Sequence, residues 1–513
     1  MGVERELKFS VSEDTARAVE GHALLLLAGA PRRELLQSWY FDTPELDLGA
    51  AGMVLRVRDA GGASVVTVKA RGADALGAER SEWEWRALDS SAAGGLGPRD
   101  LRHALRATAL GGVADGLGLD ARELRRHLEP RFGTRFERDT WQLEWNGARI
   151  ELALDRGVCQ ARRGDGMADT ALCELELEVL DGTLEPAWDL AWTLAQDLAL
   201  RLSPVDKARR AAALLAGERP RALPEPGALA RGSTLRQAAH DWLQTACAQL
   251  AVWSERIGTA DEERDVHQFR VVLRRLRTAL RWLAPQLGAQ AARWLRAELR
   301  WAHQLAGLVR DADVSLQLLA QAAAGPGPVA DQAGALARPI SGARAQHRLA
   351  LQAYARSARF ARLLMALGRC GDVGPTEPRA GALRRMAAQA LRQDEAEWRD
   401  AIDVECPLGD CTAHGLPRPE QALRLHRLRI ASKRLRLSAE RMAGLLPRGP
   451  RQRQLHAGKL AAALQSGLGD WHDAERLLLE AAAARPAMPA LCTWLEARAL
   501  AMLQAVASQQ EVA

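Results

Sequence analysis

Polar and apolar residues alternate one by one through much of the chain up to about residue 215. Glu4, Glu6 and Lys8 interleave with Val3, Leu7 and Phe9. Arg56 and Arg58 interleave with Leu55 and Val57, and Thr67 and Lys69 with Val66 and Val68. Arg80, Glu82, Glu84 and Arg86 share one parity, Trp83 and Trp85 the other. Glu151, Ala153 and Asp155 oppose Ile150, Leu152 and Leu154. Glu174, Glu176 and Glu178 oppose Leu175, Leu177 and Val179. A period of two places these residues on strands with one apolar and one polar face. Turn-forming runs such as DAGGAS, RGADALG and RRGDG separate them. After residues 216–232, rich in Pro and Gly and read as a linker, the period changes to that of helices built from Ala, Leu and Arg. The expected architecture is α+β: strands over 1–215, then an all-α region over 233–513.

The polar strand faces are unusual. They are almost wholly ionic, and the signs are segregated, with acids on the first and last strands and Arg or Lys between them. A half-solvated sheet does not require this. A closed antiparallel barrel with both signs in its lumen would, because it could hold a polyanion together with divalent cations. Glu4-x-Glu6-x-Lys8 sets two carboxylates and an ammonium on one face, about 7 Å apart. Glu174, Glu176 and Glu178 add hard oxygen ligands suited to Mg²⁺ or Mn²⁺. Arg56, Arg58, Lys69 and Arg138 can neutralise phosphoryl oxygens, arginine through a two-pronged fork. That inventory suffices for metal-assisted hydrolysis of a triphosphate, a reaction that mostly demands positioning and charge neutralisation.

The helical region contains a weak internal repeat. His267, Arg270, Arg274 and Arg277 recur as His426, Arg429, Lys433 and Arg436; Gly307, Leu308 and Asp313 recur as Gly467, Leu468 and Asp473. This predicts two related units in one bundle. Each basic set falls within a helical arc of roughly 80°. Mutual repulsion along such stripes is relieved by a linear polyanion, whether polyphosphate, nucleic acid or an anionic membrane surface. No aromatic interrupts either stripe, so nothing is provided for base stacking, and nucleic acid is disfavoured. The plainer alternative is an exposed Arg-rich helix in an Arg-rich chain.

Composition sharpens this picture at two points. The chain has 513 residues, 70 basic and 64 acidic, a formal charge of +6. Residues 1–220 carry 29 basic and 36 acidic side chains, whereas residues 221–513 carry 41 and 28, so −7 is joined to +13. Of the basic residues only 5 are lysines: Lys8, Lys69, Lys207, Lys433 and Lys459. The hydrophobic fraction of 48% is that of a globular protein. The Ala23–Ala30 run is too short to span a bilayer, and MGVERELKFS lacks the apolar stretch of a signal peptide. Seven scattered cysteines suit free thiols, so a cytoplasmic location without membrane association is expected. Cys406, Cys411 and His414 have partial zinc spacing without a fourth ligand. Trp83, Trp85 and Trp141 sit at apolar parity and read as core.

VERELKF resembles the Glu-x-Glu-x-Lys signature of the CYTH domain, the triphosphate tunnel metalloenzymes. The resemblance continues through Tyr40-Phe41-Asp42-Thr43-Pro44, Leu55-Arg56-Val57-Arg58, Thr67-Val68-Lys69, Glu82 and Glu84, Glu137-Arg138-Asp139-Thr140-Trp141, Glu151 to Asp155, CELELEV and Ser203 to Arg209, and covers roughly residues 1–210. The helical half is similar to the CHAD domain, a module associated with polyphosphate binding, through the two His-and-Arg stripes. The order CYTH then CHAD is typical of bacterial inorganic triphosphatases. The resemblance implies a barrel tunnel cleaving inorganic triphosphate to pyrophosphate and phosphate. It implies metal ligands among Glu4, Glu6, Glu174, Glu176 and Glu178, and a phosphate clamp of Lys8, Arg56, Arg58, Lys69, Arg138 and Lys207. Lys8, Glu82, Glu84 and Asp155 fall among its catalytic positions, the acids supporting metal or water. His267, Arg270, Arg274, Arg277, His426, Arg429, Lys433 and Arg436 become polyphosphate ligands. Asp206 precedes Lys207 where relatives typically have serine. Alternatives within this reading are a non-catalytic polyphosphate-binding or targeting protein, or a barrel acting on thiamine triphosphate or nucleoside triphosphates, adenylyl cyclase chemistry included.

Overall fold

The computed structural model describes residues 2–59, 64–72, 75–88, 96–118, 120–163, 166–217, 228–229, 232–259, 263–284, 287–373, 381–403, 417 and 419–511. Cys406, Cys411, His414 and most of the expected linker lie outside them. Two compact units are present. One comprises Met1–Pro224, Leu243–Glu255 and Ala355–Val373; the other comprises Glu225–Trp242, Arg256–Tyr354 and Gly374–Ala513. Two helical segments that follow the linker in sequence therefore group with the strands.

The first unit holds β1 (Gly2–Ser10), β2 (Arg32–Asp42), β3 (Met53–Asp59), β4 (Ser64–Arg71), β5 (Glu79–Arg86), β6 (Glu129–Trp145), β7 (Ala148–Arg163), β8 (Gly166–Asp181) and the short β9 (Arg201–Leu202). Their spatial order is β5-β4-β3-β2-β6-β7-β8-β1-β9, and a further β5–β1 pairing closes the first eight into an antiparallel barrel. Closure removes the exposed sheet edges that would otherwise template aggregation. Between β6 and β7, Asn146 and Gly147 adopt φ of 48° and 78°. Two successive positive φ values make the type I′ turn that suits a twisted hairpin, and Asn-Gly is its favoured sequence.

The barrel is apolar outside and ionic inside. Leu55, Val57, Val66 and Val68 face outward and pack with Leu101, Ala104, Leu110, Ala114 and Leu124 from short helices over 98–127. Leu7, Phe9, Leu175 and Leu177 are fully buried on the outer face of β1 and β8, where the Glu185–Leu194 helix packs. Burying each such side chain contributes about 1.5–3 kcal/mol. One end of the lumen is apolar too. Leu36, Tyr40, Phe132, Phe136, Cys159, Ala161 and Leu172 meet Ala208 and Ala211 of helix α1 (Lys207–Ala216), which plugs the barrel. Asp206 caps α1 by accepting from Arg209 N at 2.7 Å.

Helices follow: α2 (Leu235–Thr259), α3 (Glu263–Leu283), α4 (Ala289–Ala323), α5 (Pro328–Ala355), α6 (Ala358–Val373), α7 (Ala382–Asp403), α8 (Pro419–Met442), α9 (Arg448–Ala483) and α10 (Pro489–Glu511). In the second unit α3 packs on α4 and α8 on α9, with contacts between α3 and α8 and between α4 and α9. The sequence repeat thus corresponds to two helix pairs. Among the described residues no helix is long and apolar enough to cross a membrane.

The α9–α10 contact depends on a missing side chain. A Cβ placed on Gly467 would lie 2.2 Å from Val506 Cγ2, and valine is stiff about χ1. Gly467→Ala should therefore destabilise the helical unit by about 1–3 kcal/mol through overpacking. Denaturant unfolding followed by circular dichroism measures it, and an unchanged midpoint would refute so close a packing.

Candidate active site and anion groove

The lumen opens into a cavity of about 670 Å³. Register explains its charge pattern. Glu6 pairs with Glu178 and Lys8 with Glu176 across β1 and β8, while Glu4 pairs with Arg80 across β1 and β5. Acids from the two ends of the strand sequence thereby become neighbours. The middle strands supply cations: Arg56 and Arg58 from β3, Lys69 from β4 and Arg138 from β6 all line the same cavity. Among the described residues its wall carries nine carboxylates and eight Lys or Arg side chains.

Most of these charges are already paired. Lys69 Nζ donates to Glu4 at 2.5 Å and lies 3.3 Å from Glu82. Lys8 Nζ is 2.6 Å from Glu6 and 3.7 Å from Glu176. Glu84 receives Arg58 at 3.4 Å and Thr67 Oγ1 at 3.1 Å, with Arg56 at 3.7 Å. Some valences remain open: among the described residues, Glu4 Oε2, Arg56 Nε and Arg58 Nε are buried without a hydrogen-bond partner. Burial, together with the carboxylates of Glu4 and Glu6, pushes Glu178 up to about 7. A cavity wall with uncommitted donors and a crowded carboxylate group is arranged for ligands of both signs.

An ion cluster runs from its wall into the buried interior behind it. Lys207 Nζ lies 2.8 Å from Asp155, 3.1 Å from Glu174 and 2.7 Å from Glu176. Arg138 forks onto Asp155 with two bonds of 2.7 Å and reaches Glu176 at 2.5 Å. Burial opposes the charge on Lys207, but Asp155, Glu176 and Glu174 outweigh it and hold its pKa well above the ordinary value. Burial likewise opposes Glu176, where Lys207, Arg138 and Lys8 prevail and lower its pKa.

Of the residues singled out from sequence, Glu4, Glu6, Lys8, Arg56, Arg58, Lys69, Glu82, Glu84, Arg138, Glu176, Glu178 and Lys207 line the cavity. Glu174 and Asp155 do not; they stand behind its wall, and Glu174 also meets Arg210 at 3.3 Å. The cavity additionally exposes Arg80 and Asp206, joined at 3.2 Å, and Glu151 and Glu34. Arg80 shares the parity of Glu82 and Glu84, a signal available in the sequence. Asp206 had no such signal, because its position depends on where α1 enters the barrel.

In the second unit a groove of about 810 Å³ lies among α3, α4, α8 and α9. His267, Arg270, Arg274, Arg277, His426, Arg429 and Lys433 line it; Arg436 does not, being turned to Glu440 at 2.8 Å and Gln465 at 3.0 Å. Arg296, Arg300, His303, Arg310 and Arg476 join from α4 and α9. These follow no stripe repeated between the two units, so the repeat could not reveal them. Among the described residues the lining has eleven Lys or Arg and three Asp. The imbalance is felt locally: burial and the neighbouring Arg429, Arg274 and Arg270 push Lys433 down to about 7. Burial and Arg270 push His303 down to about 3. Among the described residues, Arg274 and Arg429 each bury an Nε without a hydrogen-bond partner.

Fold and site together define a class: a closed antiparallel barrel with a doubly charged lumen, followed by a helical unit around a basic groove. Residues 2–212 match the CYTH domain and residues 241–482 the CHAD domain, so the chain belongs to the proteins in which CYTH precedes CHAD. It is similar, at 31% identity over 83 residues, to an inorganic triphosphatase of Haemophilus influenzae. The match covers 16% of this chain and 22% of the relative, so the chain spans under a quarter of that relative's length. A solved CHAD domain from Ricinus communis is 23% identical, with 57% of this chain and 96% of that one covered and a TM-score of 0.41. A putative adenylyl cyclase from Hippeastrum, described as having a dominant triphosphatase activity, is 17% identical, with 42% and 97% covered and a TM-score of 0.29.

Removing the cation at the centre of this cluster leaves Asp155, Glu174 and Glu176 with Arg138, Arg210 and Lys8 alone to offset them. Lys207→Met should destabilise the barrel by about 3–5 kcal/mol. Urea unfolding monitored by tryptophan fluorescence tests this, and a loss within the ~0.5 kcal/mol usual for surface changes would contradict it.

Proposed function

We propose that the barrel hydrolyses inorganic triphosphate to pyrophosphate and phosphate with the help of Mg²⁺ or Mn²⁺, and that the helical groove binds polyphosphate. The observation that carries this is the two-signed lumen. Carboxylates of β1 and β8 face the Arg and Lys of β3, β4 and β6 across one cavity. A triphosphate with its counter-cations needs both sets.

The donor set suits a hard divalent cation. Glu4, Glu6 and Glu178 offer carboxylate oxygens, Glu4 Oε2 has no hydrogen-bond partner, and Glu178 gains from any cation that offsets Glu4 and Glu6. Among the described residues no three acidic, His or Cys side chains already converge in a metal-holding arrangement, since Glu4 and Glu6 are turned onto Lys69 and Lys8. CYTH enzymes typically use divalent metals; when bound, the ion supplies Lewis acidity and neutralises phosphoryl charge. The chain's own residues do the rest. Arg56 and Arg58 fork onto phosphoryl oxygens while Glu84 and Thr67 hold them in place. Lys69, released from Glu4, and Arg138 add charge as it develops on the leaving pyrophosphate. Lys207 and Asp155 fix Arg138 from behind. Glu82 or Glu84 orients the attacking water and accepts its proton.

Two measurements test this. Phosphate release from inorganic triphosphate should require the metal and fall by at least about 100-fold in Glu4→Gln/Glu6→Gln. Turnover retained in the double variant would remove the barrel assignment; tight binding without turnover in the wild type would make it a binding module. For the groove, Lys433 has a depressed pKa of about 7 in the free protein. A bound polyanion favours its charged form, so binding takes up a proton above that pH. Polyphosphate affinity should then be fully present below pH 7 and decline as pH rises towards 9, by up to about tenfold per unit. Fluorescence anisotropy across that range should show the decline in the wild type and a flattened profile in Lys433→Met.

A further inference from the structure

Four of the five lysines have surroundings that can be compared directly. Lys8, Lys69 and Lys207 sit against carboxylates at 2.6, 2.5 and 2.7 Å, which occupy their ammonium groups. Among the described residues no carboxylate or carbonyl lies within bonding distance of Lys433. It lines the basic groove beside Arg429 on its own helix α8, with Arg270 and Arg274 facing from α3, His303 from α4 and Asp473 from α9. Burial and three guanidinium groups act most strongly against its charge and outweigh the opposing Asp473. A half-neutral amine in a place built to attract phosphate is a nucleophile with a seat for a phosphorylated electrophile.

We propose that Lys433 accepts acyl groups from small acyl phosphates, with the groove arginines seating the phosphate and the lysine amine taking the acyl group. The unpaired Nε of Arg274 and of Arg429 provide donors for the phosphate. The nitrogen lone pair bonds to the carbonyl carbon, and the carbon–oxygen bond to the phosphoryl group breaks. Inorganic phosphate leaves with that electron pair, and the amine gives its proton to the departing phosphate. The product is a neutral amide, so each event removes the charge that Lys433 would take on beside a polyanion and weakens the groove's hold on it. Acyl-phosphate level would thereby set how much polyphosphate the helical unit retains. This rests on the groove accepting phosphoryl groups, as proposed above.

The test uses the full chain at pH 7.5 with acetyl phosphate and EDTA, reading acetyl occupancy at each lysine by peptide mass spectrometry. Lys459, which is exposed on α9, is the internal reference. Lys433 should be modified at least about tenfold faster than Lys459, as expected for a desolvated amine among cations. Saturating long-chain polyphosphate should suppress Lys433 and leave Lys459 unchanged. Equal rates at the two lysines overturn the proposal. So does a preference for Lys433 that persists under polyphosphate, or one given by acetic anhydride but not by acetyl phosphate, since neither uses a seated phosphate. Anisotropy on the same preparation separates the two readings: polyphosphate that binds while Lys433 stays unmodified rejects acyl transfer alone, and polyphosphate that fails to bind rejects the groove itself. Lys433→Arg, checked for an unchanged melting temperature, must abolish the signal.

Discussion

β1 is held between β5 and β8, and everything in the first unit follows from that pairing. It closes the sheet, and closure forces each strand to present one face to a lumen and the other to a covering layer. Here the inward parity is ionic. Placing so many charges inside is tolerable only because closure also sets opposite signs within bonding reach, as with Lys207 among Asp155, Glu174 and Glu176. Desolvation of each group alone would exceed what folding can offset; together they form a network in which each charge is the partner of another. The hydrophobic core, displaced from the barrel interior, is rebuilt outside against short helices and at the end plugged by α1.

The helical unit handles charge in the opposite way. In the barrel, cations and anions are nearly balanced in number and most are paired with one another. In the groove, among the described residues, eleven basic side chains face three aspartates, and burial together with this excess depresses Lys433 and His303. One chain thus contains two charged sites, distinguished by whether the counter-charge is built in.

Much of this was legible in the residues. Strict alternation marked the strands, ionic parity marked the lumen, and His267 and His426 with their arginines marked the groove. Other features were not. Glu174, Glu176 and Glu178 are equivalent by parity, and only the approach of Arg210 and α1 takes Glu174 behind the wall while Glu176 and Glu178 remain on it. Arg436 fits the stripe by spacing but is diverted to Glu440 and Gln465. Arg80–Asp206 joins residues far apart in sequence, which no local pattern encodes.

The sequence by itself determined which side chains share a strand face or a helix arc, because those depend only on the local periods of 2 and 3.6 residues. From this came the ionic lumen, the basic stripes, and the contrast between an acidic first part and a basic second part. Only the tertiary structure decided which strands became neighbours, which acids touch which lysines, and that Lys433 alone among the four compared stands among cations. Those outcomes depend on closure and helix packing, which bring distant segments within a few ångströms, where the Coulomb energy of each pair is set.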